Sequence, residues 1–410
     1  MKKFVLRTFM AFSIIFIFLF CSTMLIEYLN KDRLNTTVNV QVELNQDGTI
    51  IVPDTPEKVK ANMIFSQFYF YVGLGISVLT PILFYKFGGI EVLKNKGFKR
   101  KITEGAALCV MYAVFSEILI FSKVLFSSFY RGKLVGLKTY TFTQFFTDYM
   151  KSDIISLLIS IPIVVITYII FKKFKYWYLI VAASVILFNI ASNYVYPYID
   201  ELQNELVVME DGDLKNKVLA LAEEAGIENL DVRVVKKSDE TSSMNAYMTG
   251  IGKTKRIVFW DTIIDGLSEE ELLSVAAHEM GHYKLNHIPE SMIISSIEII
   301  AICFIINILM KKIKGKDYRK LDNIPYILLT ISIISILITP FDTWFSRKIE
   351  IEADTFAIES TNDPYTNGLL EIRFINSNLT PIKVNKLYKW LNYDHPTVEE
   401  RISLSNSFIR

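Results

Sequence analysis

The stretch Ser268–His287, SEEELLSVAAHEMGHYKLNH, holds three of the four histidines of a 410-residue chain and sets a glutamate between the first two. Ser268 reads as an N-cap, with Glu271 at the third helical position closing a capping box and Glu269 to Glu271 complementing the positive end of the dipole. A helix therefore starts just after Ser268. On it His278 and His282, four residues apart, project from one face, so both imidazoles can reach a single ion. Glu279 lies about 100° further round, off the ligand face but within reach of a water held beside the ion. The spacing is H-E-x-x-H: neutral nitrogen donors for a borderline-soft cation, with a carboxylate as general base. Gly281 adds room on that turn at a cost of about 1 kcal/mol against alanine. His287, about 140° round the helix from His282, reads as a polar residue at a membrane-proximal helix end and not as a ligand.

A catalytic zinc needs a third protein ligand and an open fourth position. Cys21, Cys109 and Cys303 each lie in an apolar run far from one another, which fits neither a disulfide framework nor a thiolate site. The remaining histidine is His395. The better candidate is SRKIEIEADTFA (346–357), where Glu350 and Asp354 stand four apart on an expected helix and Glu352 points elsewhere. One carboxylate would bind the metal while its helical neighbour orients an imidazole.

Around these two motifs the chain is apolar. It is 51% hydrophobic with a mean hydropathy of +0.32, above the range of soluble globular proteins. Seven runs, at 4–28, 64–85, 104–128, 154–171, 177–196, 292–310 and 324–345, have the length needed to cross about 30 Å of hydrocarbon. The first is expected to be an uncleaved span, since its apolar core is long and no small-x-small site follows. The net charge of +1 gives no field for nucleic acid, and no nucleic-acid partner is expected. The expected partners are a lipid bilayer and a peptide or protein substrate, lipidated or membrane-associated.

The basic residues are shared unevenly. Clusters precede the first span (Lys2, Lys3, Arg7) and follow the second (Lys86 to Lys101), the fourth (Lys172, Lys173, Lys175) and the sixth (Lys311 to Lys320). With seven spans all four fall on one face, whereas the opposite loops at 29–63 and 129–153 hold eight lysines and arginines together. The positive-inside rule puts the amino terminus in the cytoplasm, and residues 197–291 and the tail after 345 outside. Four segments follow: spans one to five (1–196), a first part of a peptidase domain (197–291), spans six and seven (292–345) and a second part (346–410).

The parts outside the membrane look folded. Residues 213–226 show helical periodicity ending at Gly226, where a C-terminal cap is expected. LDVRVV (230–235) alternates as a strand does, RIVFW (256–260) is a second strand candidate, and NAYMTGIGKTK between them reads as an edge strand entering a turn. Glu117 and Glu298, within spans three and six, are expected to face a bundle interior or water.

The blocks GDLKNKVLALAEEAGI, SSMNAYMTGIGKTKRIVFWDTII, AAHEMGHYKLNH, SRKIEIEAD and DHPTVEER together resemble the type I CAAX prenyl protease family of integral-membrane zinc metalloproteases. The motif-level likeness spans about 197–287 and 346–402; the spans agree in number and placement. The resemblance implies a mainly α, multi-pass fold in which seven helices ring a water-filled chamber capped by a zinc peptidase domain with a small β element. By the same resemblance His278, His282 and Glu350 would bind one zinc ion, Glu279 would be the general base and Asp354 a partner of a ligand histidine. Arg347 would belong to the supporting network, and His395 would lie over the site and donate to the carbonyl or oxyanion. Asn245, Ala246 and Tyr247 would form the edge strand that takes up the substrate main chain.

One departure stands out. Family members in nucleated cells keep the catalytic domain in the cytosol, where prenylated substrates are made, whereas the lysine clusters here put it on the far side. That placement argues against farnesylated tails and for a bacterial-type role at the outer membrane surface. Two other readings remain open from sequence: a broad quality-control protease like the bacterial heat-shock membrane metalloproteases, and a non-catalytic membrane protein with a structural zinc. An intact Glu279 disfavours the second, because a structural site needs no base.

Overall fold

The structure is a computed structural model that describes residues 1–409. Seven helices are long and apolar enough to span: Lys2–Leu29, Glu57–Lys86, Lys101–Val135, Phe142–Lys173, Trp177–Gln203, His287–Arg319 and Leu321–Thr361. All seven expected spans are there, each extended beyond its apolar core, because hydropathy registers only the stretch at lipid depth while a helix continues as long as its backbone bonds are made. Spans two to seven pack each on the next, and the seventh returns to the second; the first seats against the second and third. The second to seventh spans thus close into a six-membered ring, with the first span outside it.

The ring has two unlike ends. At one, Arg7 donates to the Lys86 carbonyl (3.3 Å), Lys94 pairs with Asp322, Lys172 donates to the Arg319 carbonyl (2.6 Å) and Arg319 to that of Lys175 (3.1 Å). The four basic clusters that sequence assigns to one face thus converge. At the other end sits the part outside the membrane. Its sheet has the order β1-β2-β4-β3, with β1 Leu206–Val208, β2 Asp231–Val235, β3 Ala246–Thr249 and β4 Arg256–Trp260. β2 runs parallel to β4, while β1 and β3 are antiparallel to their neighbours. β2, β3 and β4 lie where the sequence reading places strands, β2 by its alternation. β1 is an addition, too short to carry a periodic signal.

Helix α1 (Asp213–Glu224) and helix α2 (Glu269–Lys284) cover the sheet. Val218 and Ala222 meet Ile257 and Phe259 of β4 and Leu272, Ala276 and Met280 of α2 in one buried cluster. Gly226 takes φ +73° as the expected helix cap. The carboxyl-terminal segment adds α3 (Pro364–Asn378), α4 (Lys386–Asn392) and α5 (Val398–Ile409). Ile372, Ile375, Val398 and Ile402 from these helices pack on Leu19, Val59 and Phe65 of the first two spans. The loop after the first span is tied to the same segment by Val40 N–H on Asn376 and Ile50 N–H on Asn406, each 2.8 Å.

The carboxylates expected to face interior or water are handled differently. Glu117 accepts from Tyr149 of the fourth span at 2.7 Å, so it is answered between two helices. Glu298 keeps Oε1 buried without a hydrogen-bond partner.

Candidate metal centre

Two helices carry the centre: α2, separated from the sixth span by a break at Asn286, and the outer part of the unbroken seventh span. The capping box expected at Ser268 is made: its Oγ accepts from Glu271 N–H at 3.3 Å, and Glu271 Oε2 accepts from Ser268 N–H at 2.8 Å. α2 therefore starts in a fixed register, with Leu272, Ala276 and Met280 buried against the sheet. Its opposite side meets the seventh span. Gly281 makes that approach possible, since a Cβ there would stand 3.2 Å from the Ala353 Cα and from the Phe356 ring. The partner helix runs unbroken for 38 residues, Ile324–Thr361, roughly 57 Å at 1.5 Å per residue and nearly twice the hydrocarbon depth. Its outer half thus carries Glu350 and Asp354 out of the membrane to α2.

His278 Nε2 and His282 Nε2 are 3.2 Å apart. Glu350 approaches them at 3.5 Å from Oε2 and 3.3 Å from Oε1 respectively. Bonds of about 2.0–2.1 Å in a tetrahedron set donors about 3.3–3.4 Å apart, so the three side chains fit the edges of one such site. Charge gives a second test. The buried guanidinium of Arg401 stands 2.7 Å from Glu350, 3.3 Å from Asp354 and 3.4 Å from Glu371. One cation faces three buried carboxylates, which leaves negative charge for a divalent ion to offset. Burial pushes Glu371 up to about 7 even so, against the pull of Arg401. The residues present fit a divalent metal.

Each imidazole is oriented through its far nitrogen. His278 Nδ1–H donates to Asp354 at 2.8 Å, the partnership the resemblance implies. For His282 the partner is His287, which is 2% exposed. Its Nδ1 is 3.0 Å from His282 Nδ1, and its Nε2 is 3.2 Å from Glu352. With His282 Nε2 turned to the metal, the consistent tautomers have His282 Nδ1–H donating to His287 and His287 Nε2–H donating to Glu352. His287 does stand at a membrane-proximal helix end and outside the ligand set, as its 140° offset suggests, yet it is buried and pairs with His282. The chain breaks helix at Asn286, whose φ is +60°, and starts the sixth span at His287; this reversal brings the ring back to its neighbour, and angular bookkeeping on one straight helix cannot foresee it. Removing His287 by substitution with alanine is expected to weaken metal retention about 10- to 100-fold in chelator competition, with Glu352→Gln smaller in effect.

Glu279 accepts from Met248 N–H at 3.2 Å. Burial raises its pKa above the ordinary carboxylate value against the pull of the two imidazoles. Trp260 N–H bonds the Asn245 carbonyl at 3.0 Å. In an antiparallel ladder that pairing directs the main-chain groups of Ala246 and Met248 away from β4, toward the open edge. Asn245 and Ala246 line a cleft of about 470 Å³ with His278, Glu279 and Glu350. Tyr247 does not: its hydroxyl donates to Asp200 at 2.7 Å, fastening the strand to the fifth span.

His395 lines the same cleft, with Nε2 3.7 Å from Glu350 Oε2. Asp394, 2.8 Å from its Nδ1, raises its pKa and leaves Nε2–H as a donor into the cleft. Arg347 touches none of the three ligating groups; it donates to the carbonyls of Lys389 and Tyr393 and so holds the loop that ends in His395. Arg401 is the residue that sequence reading passed over. Its signal was a lone arginine on the face of α5 that buries Val398, Ile402 and Ser405, where a charge must find partners.

The profile of peptidase family M48 matches residues 209–406, and that of the CAAX prenyl protease N-terminal region, five membrane helices, matches 56–201. The chain belongs to peptidase family M48. A metalloprotease of Bacillus subtilis, YhfN, is 29% identical over 82% of each chain. A CAAX prenyl protease 1 homolog of Dictyostelium discoideum is 27% identical over 80% of each, and that of Homo sapiens 25% identical over 90% of this chain and 88% of the other. The crystal structure of S. mikatae Ste24p shares the fold, with a TM-score of 0.74 over 96% of this chain and 99% of that one at 21% identity. This M48 chain is a multi-pass membrane metallopeptidase acting on peptide bonds, and neither the heat-shock type nor the non-catalytic reading is favoured.

Proposed function

We propose that the chain is a zinc endopeptidase, built from residues 197–291 and 346–410 on a seven-span support, that cleaves membrane-associated peptides on the extracytoplasmic side. The observation that carries the reading is the convergence of His278, His282 and Glu350 within one ligand set beside Glu279. Two nitrogens and one carboxylate are a donor set that suits zinc and leaves a position open. When bound there, zinc polarises the scissile carbonyl and acidifies a water beside it, toward a pKa of about 7.

The chain's own groups do the rest. An extended peptide adds to the free edge of β3 through the outward N–H and C=O of Ala246. Glu279 Oε takes the water's proton and delivers it to the leaving amine, while Met248 N–H steadies the carboxylate. His395 Nε2–H donates to the oxygen on which charge develops, and Asp394 supports the donor. Sidedness follows from the four basic clusters at the end of the ring opposite this cleft. On that side cytoplasmic prenylated tails are out of reach, so the substrates differ from those the relatives' names describe.

Metal analysis of purified protein tests the ligand set: Glu350→Ala is expected to abolish stoichiometric zinc, and full occupancy in that variant would remove Glu350 from the site. Comparing the membrane proteomes of cells carrying wild type or Glu279→Gln, with trapped peptides identified on the variant, finds the substrates. Labelling of single cysteines at 29–63 and after residue 402 by an impermeant reagent reports the side; protection of both from outside would reverse it.

A further inference from the structure

The free edge of β3 is shorter than the strand. Trp260 N–H takes the Asn245 carbonyl, and alternation along the ladder then turns the main-chain groups of Met244, Ala246 and Met248 outward. Two of these three residues are already engaged. Met248 N–H is held by Glu279 at 3.2 Å. At Met244 both groups are taken by one side chain: Asn378 Oδ1 accepts from the N–H at 2.8 Å, and Nδ2 donates to the carbonyl at 3.0 Å. The amide makes the pair of bonds that a residue of an added strand would make. Asn378 also lines the cleft beside Met244, Asn245 and Ala246, so it stands where such a strand would run. Among the described residues that leaves Ala246 N–H and the carbonyls of Ala246 and Met248.

The clasp is fixed from both sides. Asn378 is the last residue of α3, and buried Leu379 turns the chain away at φ +53°, a conformation leucine rarely adopts. Ser377 Oγ donates to Asn378 Oδ1 at 3.1 Å and so helps set which way the amide faces. On the strand side, Thr262 Oγ1 donates to the Ser243 carbonyl at 2.7 Å, and the Met244 side chain reaches over Gly266. We infer that Asn378 ends the substrate-binding edge at Met244, so that β3 reads a peptide's main chain through Ala246 and the Met248 carbonyl alone. Asn378 touches no reacting atom; it is a positioning residue that acts through the strand. The consequence is a substrate class: peptides extended only beside Ala246, with proline or another N-substituted residue accepted two places past that pairing. This deepens the peptidase reading above and rests on it.

The test uses the full-length enzyme in detergent and a peptide that wild type cleaves from a degenerate pool, resynthesised with a single N-methyl group moved residue by residue along it. Methylation deletes one donor, so slowed cleavage marks an N–H that the enzyme receives. Mass spectrometry reads each methylated peptide against the unmethylated one in the same reaction, so the active fraction cancels. Wild type is expected to show two sensitive positions two residues apart, facing the carbonyls of Ala246 and Met248. Asn378→Ala frees the Met244 carbonyl, and a third position appears two residues further on, slowed about 2- to 10-fold, the worth of a hydrogen bond. Asn378→Ser, too short for both bonds, carries the same expectation should the alanine protein not fold. A third position already present in wild type, or an unchanged pattern in the variant, overturns the inference and leaves the peptidase reading standing. So does a variant that keeps its metal and melting temperature yet cleaves nothing, because the clasp would then hold the edge in place and not end it. A wild type that cleaves no member of the pool above the Glu279→Gln background overturns both.

Discussion

Glu279→Gln is expected to lower peptide cleavage by about 10²–10⁴-fold with zinc content and melting temperature at wild-type values. Glutamine keeps the shape and can still accept from Met248 N–H, the one hydrogen bond Glu279 makes among the described residues. What it loses is the ability to carry a proton from water to the leaving amine. Neither His278 nor His282 can take over, because each spends one nitrogen on the ligand set and the other on Asp354 or His287. Single-turnover cleavage of a peptide found by trapping, with metal analysis on the same sample, checks both halves. Wild-type turnover in the variant would put the base elsewhere.

Arg401→Met should cost more in stability than any other single change in the site. The guanidinium is the cation shared by Glu350, Asp354 and Glu371. Breaking a buried ion pair by removing one partner costs about 3–5 kcal/mol, because the remaining charge is stranded. Methionine fills the volume, so the loss reports charge and not a cavity. Glu350 also loses the partner that holds one of its oxygens, and metal affinity is expected to fall about 10- to 100-fold. Denaturant unfolding and chelator competition measure the two effects. Arg401→Lys keeps the charge without the fork and should fall between. An Arg401→Met protein as stable and as well metallated as wild type would mean that these carboxylates are neutral and need no cation.

The order in which the site became legible follows the range of the interactions. Ser268, Glu271, His278, Glu279 and His282 interact within one helix, where 3.6 residues per turn converts spacing into direction, and the capping box is made as the sequence implies. Glu350 and Asp354 needed the resemblance to be told apart, since two acids four apart on one face are alike by periodicity. The structure separates them: Asp354 meets Nδ1 of His278, and Glu350 faces Nε2 of both histidines. His287 and Arg401 stayed hidden, the first behind a left-handed Asn286, the second behind a helix packed against two others. For Tyr247 the motif suggested a place in the edge strand, yet its side chain faces Asp200 on the far face, as alternation along a strand requires.

Sequence by itself determined the seven spans, the register of the metal helix and the face on which the basic clusters lie. These depend on local periodicity and on charge per loop, quantities written along the chain. Tertiary structure alone decided how the spans close into a ring, which oxygen meets which nitrogen across 76 residues, and that Arg131 and Arg401, identical in sequence terms, have opposite surroundings. Arg401 is surrounded by acids, whereas among the described residues Arg131 meets the neutral Ser127, Asn62 and Ser66. The reason is physical: a side chain's charge is a property of its residue, but its compensation depends on what packing brings within a few ångströms, and no spacing rule encodes that.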